Sequence, residues 1–492
     1  MAQTVDLTGS DLDLEAIAVL ARGAEASAHP DAVARTARAH RDAAVVSERR
    51  EVYGHTTGVG AAREELTGSD EEHGLRLLRS HAAGWGDPLP EPVVRAALAI
   101  RANQLLAGGS GARPELAVAL ADLAGMPSED LPVVHRHGSL GTADLTALAE
   151  VGLTLLGERD RVGGARRGVL HLDAGDALPL LSSNAFALAE SALATRSVAG
   201  TARAASTVCA LSFVALRGNP EAFSEAAARA TPFPGATEVA GHVRTLVTGQ
   251  PGRPAYIQDF FGLRTWPQVH GPLLDWSANL RTVVETAVNT ASENPVFTPG
   301  PDGPQVAHHG GFHAAYLALS VDSTLLALAR SAAAVQSRVA HLLTGREGLP
   351  LFLADETSGS SGLLIAEYVA ASAVSVVRQA AAAPAAVQTA QVSAGIEDDA
   401  SFAAAAAERL TRAAQAYRRL VAVELVCAVR ALRQSATHPV GALAEALTRC
   451  DQLPAHLGDR DLAGDFEVAE RVLDAYAAGP VPGATGRPGA RA

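Results

Sequence analysis

The stretch FALAESALATRSVAGTARAASTVCALSFVAL, residues 186–216, is a long apolar run that single charged residues interrupt. The charges are Glu190, Arg196 and Arg203. A helix of this length that is apolar around most of its circumference belongs in a bundle, where neighbouring helices cover nearly every face. The stretch therefore predicts a mainly α-helical protein with a long central helix bundle.

Four further segments repeat this pattern, namely residues 274–291, 314–343, 362–382 and 403–433. Such helices would expose large apolar patches in a monomer, so we expect a homo-oligomer that shares helices between subunits. The strand-like pieces are short and comprise residues 168–172 and 255–261.

The composition changes along the chain near residue 180. Residues 1–180 are richer in Gly and Pro, which predicts a smaller N-terminal lobe with shorter elements. Residues 181–478 are predicted to form the central and C-terminal helical bundle. The tail GPVPGATGRPGARA, residues 479–492, is predicted to be disordered.

Charge and composition exclude several classes of function. The net charge is −13 and no basic stretch resembles a phosphate-binding patch, so we expect no nucleic-acid partner. All 40 basic residues are arginine. The absence of lysine excludes a Schiff-base lysine, a pyridoxal-phosphate anchor and a phosphate-loop lysine. The Ala, Gly and Arg content is typical of a GC-rich bacterial genome.

Targeting and redox features favour the cytoplasm. The three cysteines lie far apart and lack metal-ligand spacing, which predicts reduced, buried thiols. The N-terminus has no cationic start before an apolar run, and we expect no stretch long enough and free enough of charge to span a membrane. We therefore expect a cytoplasmic protein with no membrane partner and no metal.

Two Gly-rich loops in the N-terminal part carry reactive side chains. In VYGHTTGVG, residues 52–60, Tyr53 is a candidate acid or base, and an amphipathic tyrosine at a loop edge is the alternative. In HGSLGTADLTALAE, residues 137–150, Ser139 and Thr142 supply hydroxyls. Asp144 is predicted to cap the helix that follows it.

Two later loops combine polar and aromatic residues. In AYIQDFFGLRTWPQVHG, residues 255–271, Arg264 has two interpretations. It either recognises a substrate carboxylate or forms an ion pair with Asp259 or Glu293. In VAHHGGFHAAY, residues 306–316, the three histidines lack an established ligand spacing, which favours a structural His313 over a metal site.

Seven ordered segments, from about residue 11 to residue 449, resemble the histidine/phenylalanine ammonia-lyase family. They are YGHTTGVG, LLRSHAAGWGDPL, HGSLGTADLTALA, IQDFFGLRTWPQVHG, VNTASENPVF, GLPLFLADETSGSSGLLIA and SAGIEDDASF. The resemblance implies an all-α ammonia-lyase-like subunit and a homotetramer whose active sites combine residues of several subunits. At matching positions it implies catalytic roles for Tyr53 and Gln258, and substrate-binding roles for His81, Arg264, Phe312 and Glu397.

The segment that forms the cofactor of this family differs here. Family members cyclise an internal Ala-Ser-Gly to methylidene-imidazolone (MIO), an electrophile that activates the substrate. This chain has Gly141-Thr142-Ala143-Asp144, one residue shorter and without Ser-Gly. Cyclisation needs a nitrogen that no side chain crowds, and the loss of water needs a serine-like hydroxyl. We predict no MIO and no other cofactor; attack of Ala143 on Gly141 with dehydration of Thr142 is the crowded alternative.

Other positions also depart from the family pattern. Ser182 stands at an asparagine position and is retained as a substrate-binding candidate, with Asn184 two residues further on. The family's tyrosine, asparagine, glutamate and glutamine are replaced by Phe261, Gly311, Val377 and Ile396. The lost polar groups make the pocket more apolar, which favours an aromatic or apolar acid over histidine.

The sequence predicts an MIO-independent, lyase-like or isomerase-like enzyme of bacterial specialised metabolism. Tyr53 removes a proton near a carboxylate that Arg264 holds, with help from Gln258, and the leaving group is better than an amine. One alternative is a genuine histidine or aromatic amino acid ammonia-lyase. The other is a non-catalytic member that acts as a binding protein or as the partner of a paralogue in mixed oligomers.

Overall fold

The fold is known from a computed structural model that describes residues 3–67, 72–173 and 175–478. The predicted disordered tail, residues 479–492, lies outside the described residues. The described chain consists mainly of helices, with three sheets of two short strands each. The expected mainly α-helical class is confirmed.

The described residues contain seventeen α-helices in chain order. They are α1 (Leu14–Leu20), α2 (Pro30–Ser47), α3 (Glu72–His81), α4 (Glu91–Leu106), α5 (Pro114–Gly125), α6 (Leu145–Leu155), α7 (Ala177–Leu181), α8 (Ala185–Ala215), α9 (Glu225–Arg229), α10 (Pro234–Val247), α11 (Phe261–Arg264), α12 (Trp266–Val288), α13 (Ala315–Leu342), α14 (Leu364–Ala381), α15 (Ala403–Gln434), α16 (Ala442–Thr448) and α17 (Ala463–Ala478).

The strands pair in three short ladders. A parallel pair joins β1 (Thr4–Leu7) and β2 (Glu25–Ala28), and antiparallel pairs join β3 (Trp85–Pro88) with β4 (His135–His137) and β5 (Val296–Thr298) with β6 (Gln305–Ala307). The strand-like pieces at 168–172 and 255–261 form no strand in the structure. Short β-branched or aromatic runs without a pairing partner do not make a ladder.

The chain divides into two compact units. Over the described residues, the first lies within 1–196, 280–322 and 384–411, and the second lies within 197–279, 323–383 and 412–492. The predicted lobe, residues 1–180, lies inside the first unit. Residues 280–322 and 384–411, which the sequence predicts as part of the bundle, also belong to this unit. The predicted single boundary near residue 180 therefore does not match the structure, in which each unit is built from three separate segments.

Polar side chains of α4 explain why a later segment joins the first unit. Residues 93–106 are all buried, so the polar groups among them need partners. Arg101 forms an ion pair with Glu293 at 2.6 Å, and Asn103 and Gln104 donate to the carbonyls of residues 288 and 287 at 2.8 and 3.0 Å. These contacts fix residues 280–322 against α4.

In the second unit α12 begins at Trp266, eight residues earlier than the apolar pattern predicts. Pro272 inside the helix and Gly271 beside it weaken the sequence signal. Gly271 is required by packing, because a Cβ there would lie 2.4 Å from the backbone nitrogen of Ala236 in α10. The two helices cross backbone to backbone at this point.

Three helical segments are long and apolar enough to cross a membrane by length and composition alone: residues 177–215, 315–342 and 364–387. The expectation that no stretch meets this description is therefore wrong. In the first segment 83% of the most apolar window is buried inside the protein, and in the second 67%. Packing among helices therefore accounts for the apolar composition of these two segments, whereas only 39% of the corresponding window of residues 364–387 is buried.

Candidate functional site

A cavity of about 700 Å³ lies within the first unit. Six of the predicted site residues line it: Tyr53, Thr142, Ala143, Ser182, Phe312 and Glu397. Segments that are distant in sequence thus meet around one space. The wall also includes His308, His309 and Ile396, which the sequence did not predict as site residues. It further includes residues that the sequence did not single out, namely Arg50, Glu51, Thr57, Gly60, Arg63, Glu64, Leu145, Leu178 and Asn294.

Backbone contacts fix the position of Tyr53. Its own N–H donates to Nε2 of His308 at 3.2 Å, and its hydroxyl accepts the N–H of Gly60 at 2.8 Å. Gly60 has a φ of 57°, and a Cβ there would lie 2.4 Å from Oγ of Ser393. The Gly-punctuated loop therefore serves a close approach that a side chain would prevent.

The surroundings of Tyr53 raise the pKa of its phenol. Burial is the main cause, and the nearby Glu397 carboxylate adds to it. The hydrogen bond from Gly60 and the charge of Arg63 act in the opposite direction. The phenol form is therefore favoured over the phenolate in this chain.

The loop 141–144 adopts an unusual backbone conformation. Gly141 has a φ of 80°, and Ala143 has a φ of 108°, which residues with a side chain rarely adopt. The Gly141 carbonyl accepts hydrogen bonds from Oγ of Ser401 at 3.0 Å and from the N–H of Ala314 at 3.2 Å. The loop is thus held in one conformation at the cavity wall.

Asp144 anchors this loop in a way that differs from the prediction. Its side chain does not cap α6, the helix that follows it. Its carboxylate instead accepts the N–H groups of Phe186 and Ala187 at 2.9 and 3.0 Å, in the first turn of α8, and the Ser139 hydroxyl at 2.5 Å. Burial raises the pKa of Asp144, and these three donors oppose the rise.

The residues of this loop do not fit the MIO group. The nitrogen that would close the ring belongs to Ala143, which carries a methyl group and is buried, where the family has glycine. The hydroxyl that would leave as water belongs to Thr142.

Ser182 and Asn184 have different positions in the site. Ser182 lines the cavity, and its hydroxyl accepts the N–H of Asn294 at 3.2 Å. Asn184 donates to the carbonyl of Phe312 and does not line the cavity. Asn184 therefore supports the wall, while Ser182 occupies the asparagine position of the resemblance.

His308 and His309 both line the cavity. From the sequence they are candidates only for metal binding. Nδ1 of His309 accepts the N–H of Gly311 at 2.9 Å, so the proton of the neutral ring lies on Nε2. Burial lowers the pKa of His308, and the charges of Arg50 and His309 add to this effect. Within the part of the chain that the structure describes, no group of His, Cys, Asp or Glu is arranged to hold a metal ion.

Gln258 and Arg264 lie elsewhere, in a pocket of about 490 Å³ within the second unit. The guanidinium of Arg264 lies over the Phe261 ring, 4.5 Å from its centroid, and its buried Nε has no hydrogen-bond partner among the described residues. No ion pair with Asp259 is present in this part of the chain, and Glu293 pairs with Arg101. The charge of Arg264 nevertheless opposes the burial-driven rise in the pKa of the Asp259 carboxyl, so the two groups interact without a direct ion pair.

A buried ion pair supports the turn that carries Arg264. Arg338 contacts Glu424 through Nε and Nη2 at 2.6 and 2.8 Å, and both side chains are fully buried. Nη1 of Arg338 donates to the carbonyl of Gly262 at 2.9 Å, within α11. This contact fixes the turn two residues before Arg264.

His81 lies at the end of α3 and lines neither of these two pockets. Its Nδ1 donates to the carbonyl of Leu77 at 2.9 Å. A single chain therefore brings Tyr53, Ser182, Phe312 and Glu397 together, and leaves His81, Gln258 and Arg264 outside this cavity.

A family model described as aromatic amino acid lyase matches residues 12–450, most of the chain. The chain belongs to the aromatic amino acid lyase family. The histidine ammonia-lyase of Koribacter versatilis is 32% identical over 463 residues, which cover 87% of this chain and 89% of that protein.

Two solved structures have the same fold. The tyrosine aminomutase from Streptomyces globisporus superposes with a TM-score of 0.86 at 25% identity, covering 96% of this chain and 97% of that one. The histidine ammonia-lyase from Trypanosoma cruzi gives 0.85 at 26% identity, covering 96% and 94%. The family and the ammonia-lyase-like fold predicted from the seven segments are confirmed.

Proposed function

We propose that this family member is an MIO-independent enzyme that eliminates or migrates a group on an aromatic or apolar amino or carboxylic acid. The observation that carries the proposal is the loop at the cavity wall. It places the buried Ala143 where ring closure needs an unhindered nitrogen, while Tyr53 remains in the same cavity. The loop then stays an ordinary peptide, and the protein has no cofactor.

Tyr53 acts as the base in this proposal, and Arg264 holds the substrate carboxylate. The raised pKa of the Tyr53 phenol calls for a nearby cation. Arg264 lines a pocket of the other unit, and its buried Nε is free to donate to a ligand. We therefore propose that a homotetramer brings Arg264 and Gln258 of one subunit to the Tyr53 cavity of another.

Exposed apolar side chains support the oligomer. Tyr316, Leu319 and Leu326 lie on one face of α13, with 83, 60 and 53% of each residue exposed. Apolar patches of this kind are typical of subunit interfaces. A second copy of the chain would cover them.

For the substrate we propose an acid with an apolar body. Leu145, Leu178, Phe312 and Ile396 contribute apolar wall. In the proposed reaction Tyr53 takes a proton from carbon, the electron pair forms a carbon–carbon double bond, and the leaving group departs with its bonding electrons. Without an electrophile to activate an amine, the leaving group must be better than ammonia. A migration is equally consistent with this site, since one solved relative is an aminomutase.

A genuine histidine or aromatic amino acid ammonia-lyase is the second candidate. Relatives named histidine ammonia-lyase favour it, and so do the two hydrogen bonds that polarise the Gly141 carbonyl, the atom that ring closure would attack. A non-catalytic binding protein, or a partner subunit of an active paralogue, is the third. For all three we propose a cytoplasmic protein, and for the first a role in bacterial specialised metabolism.

Turnover assays with the purified protein test the proposal. Histidine, phenylalanine and tyrosine are compared with analogues of the same skeleton that carry a better leaving group, and the unsaturated acid is followed by its absorbance. We expect turnover of the activated analogues only, and its loss in Tyr53→Phe. Robust release of ammonia from the plain amino acids would support the second candidate, and inactivity towards every analogue would support the third.

A further inference from the structure

One turn of α13 holds the short helix that carries Arg264. This helix, α11, has only four residues, which is too few for a helix to be stable on its own. Ser337, Arg338 and His341 of α13 each contact α11 or the residue before it. Because these three positions span little more than one helical turn, their side chains lie close together. We call the three residues the α13 clamp.

Arg338 holds α11 by its backbone. Nη1 of Arg338 donates to the carbonyl of Gly262 at 2.9 Å. The guanidinium itself cannot turn, because Nε and Nη2 bind Glu424 at 2.6 and 2.8 Å and its central carbon lies 4.1 Å from the ring centroid of Trp266. The side chains of Arg338, Glu424 and Trp266 are fully buried. Arg338 therefore presents its donor to α11 in a fixed direction.

The other two members of the clamp fix the start of α11. The ring of His341 stacks on Phe260, with centroids 3.4 Å apart and planes at 2°. Nδ1 of His341 donates to the carbonyl of Ser337 at 2.8 Å, which holds the imidazole in this orientation. Ser337 also packs against Gly262, where a Cβ would lie 2.9 Å from its Oγ. The clamp thus leaves little room for a side chain at position 262.

The side chain of Arg264 has few contacts that could fix its direction. Its guanidinium lies over Phe261, a residue that is 67% exposed. Among the described residues this guanidinium has no hydrogen bond and no direct ion pair. Its position therefore depends on the backbone of α11. This matters because a guanidinium binds a carboxylate through two parallel N–H···O bonds only when the two planar groups are aligned.

We propose that Arg338 and His341 are positioning residues for the carboxylate of the substrate. They hold α11 so that the Arg264 guanidinium meets the carboxylate in this two-bond geometry, and neither of them lines the pocket that Arg264 lines. A displacement of about 1 Å can cost about 10²-fold in rate, so the loss of one clamp contact should be measurable. Because Arg264 binds the carboxylate only in the function proposed above, the role of Arg338 and His341 rests on that function.

Calorimetric titration of the full-length protein with 3-phenylpropanoate and 3-phenylpropanamide tests the clamp, since the amide keeps the skeleton of the acid and lacks its charge. We expect the natural protein to bind the acid at least about tenfold more tightly than the amide. His341→Ala should weaken binding of the acid about tenfold and leave binding of the amide unchanged. His341→Phe keeps a ring on Phe260 and should bind the acid nearly as well as the natural protein. His438→Ala is the matched control, an exposed histidine of the same unit, and should change neither affinity.

Arg264→Ala separates the role of the clamp from the role of Arg264. In that background the acid should bind no better than the amide, and adding His341→Ala should have no further effect, because the clamp acts through Arg264. The positioning role of His341 is wrong if His341→Ala leaves the acid affinity unchanged, lowers both affinities equally, or still lowers the acid affinity in the Arg264→Ala background. If Arg264→Ala by itself leaves the acid affinity unchanged, the proposed role of Arg264 fails, and the positioning role fails with it.

Arg338 requires a paired replacement, because its removal alone would leave the Glu424 carboxylate buried without a partner. Arg338→Met together with Glu424→Leu replaces both charges by apolar side chains, a change that buried ion pairs often tolerate. We expect this double variant to unfold cooperatively in urea and to bind the acid at least about tenfold more weakly, with the amide affinity unchanged. An unchanged acid affinity in the folded double variant would show that Arg338 does not position Arg264.

Discussion

Replacement of Asp144 by alanine should destabilise the first unit strongly, because one buried carboxylate serves three donors. The N–H groups of Phe186 and Ala187 and the hydroxyl of Ser139 all point at it. Asp144 is fully buried, so water cannot replace the lost acceptor. The substitution therefore removes the side-chain link between the loop 141–144 and the start of α8, and leaves only the backbone hydrogen bond from Asp144 N–H to the carbonyl of Ser183 at 2.7 Å.

The size of the effect follows from the donors left without a partner. The Ser139 hydroxyl can rotate to another acceptor, but the two backbone N–H groups cannot. Each buried donor without a partner costs about 1–3 kcal/mol, so we expect Asp144→Ala, which leaves two such donors, to lower the free energy of unfolding by about 2–6 kcal/mol. Asp144→Asn keeps one acceptor oxygen for the N–H pair and should cost only about 1 kcal/mol.

Urea denaturation followed by circular dichroism measures these differences. Asp13→Ala is the matched control, because Asp13 caps α1 at 2.8 Å in an exposed position where water can take its place. We expect about 1 kcal/mol or less for that variant. If Asp144→Ala costs no more than Asp13→Ala, the anchoring role of Asp144 is wrong.

The stability should also respond to pH through Asp144. Its folded-state pKa is raised, so the protonated carboxyl is favoured on folding. The stabilising contribution is fully present below the ordinary carboxyl pKa and is lost as the pH rises through the folded-state pKa. The stability of Asp144→Asn relative to the natural chain should therefore increase as the pH rises above about 4. A difference that does not change with pH would contradict this reasoning.

Three further predictions concern the proposed site and the fold. Tyr53→Phe should reduce kcat/KM at least about 10²-fold. The activity of the natural protein should rise with pH, because the raised pKa of the Tyr53 phenol leaves little phenolate at neutral pH. A flat pH profile would contradict the role of Tyr53 as base. Arg264→Lys should weaken binding of the acid at least about tenfold, since an ammonium group cannot replace the planar guanidinium stacked on Phe261, and inhibition constants of substrate-like acids measure this. Gly271→Ala should lower the thermal midpoint, because the new methyl group meets the backbone of α10, and an unchanged midpoint would show that the crossing can open.

The long helices and the family could be predicted from the sequence because both signals are local. Apolar runs marked α8, α13, α14 and α15 to within two residues at either end. The start of α12 was missed because Gly271 and Pro272 oppose the helix signal, while packing against α10 requires that glycine. The two-unit division was missed because it depends on contacts such as Arg101 with Glu293, which join residues far apart in sequence.

The candidate site was predictable in part. Resemblance identified Tyr53, Ser182, Phe312 and Glu397, which the structure gathers around one cavity. It could not show that Arg264 lies in a different unit of the chain, because a motif carries no information about the three-dimensional distance to the other motifs. The hydrogen bonds from α8 to the Asp144 side chain could not be predicted from the sequence either, because a capping residue is expected to bind the helix that follows it in the chain.

The central claim concerns the covalent state of residues 141–144, which the mass of the purified natural protein tests most directly. Intact mass spectrometry, followed by fragmentation of the peptide that contains Thr142, measures this state in one sample. We predict the mass calculated from the gene and an uninterrupted series of fragment ions through Gly141, Thr142 and Ala143. A chain lighter by two water molecules, with the loss mapped to these residues, would show that the ring has closed and would contradict the account.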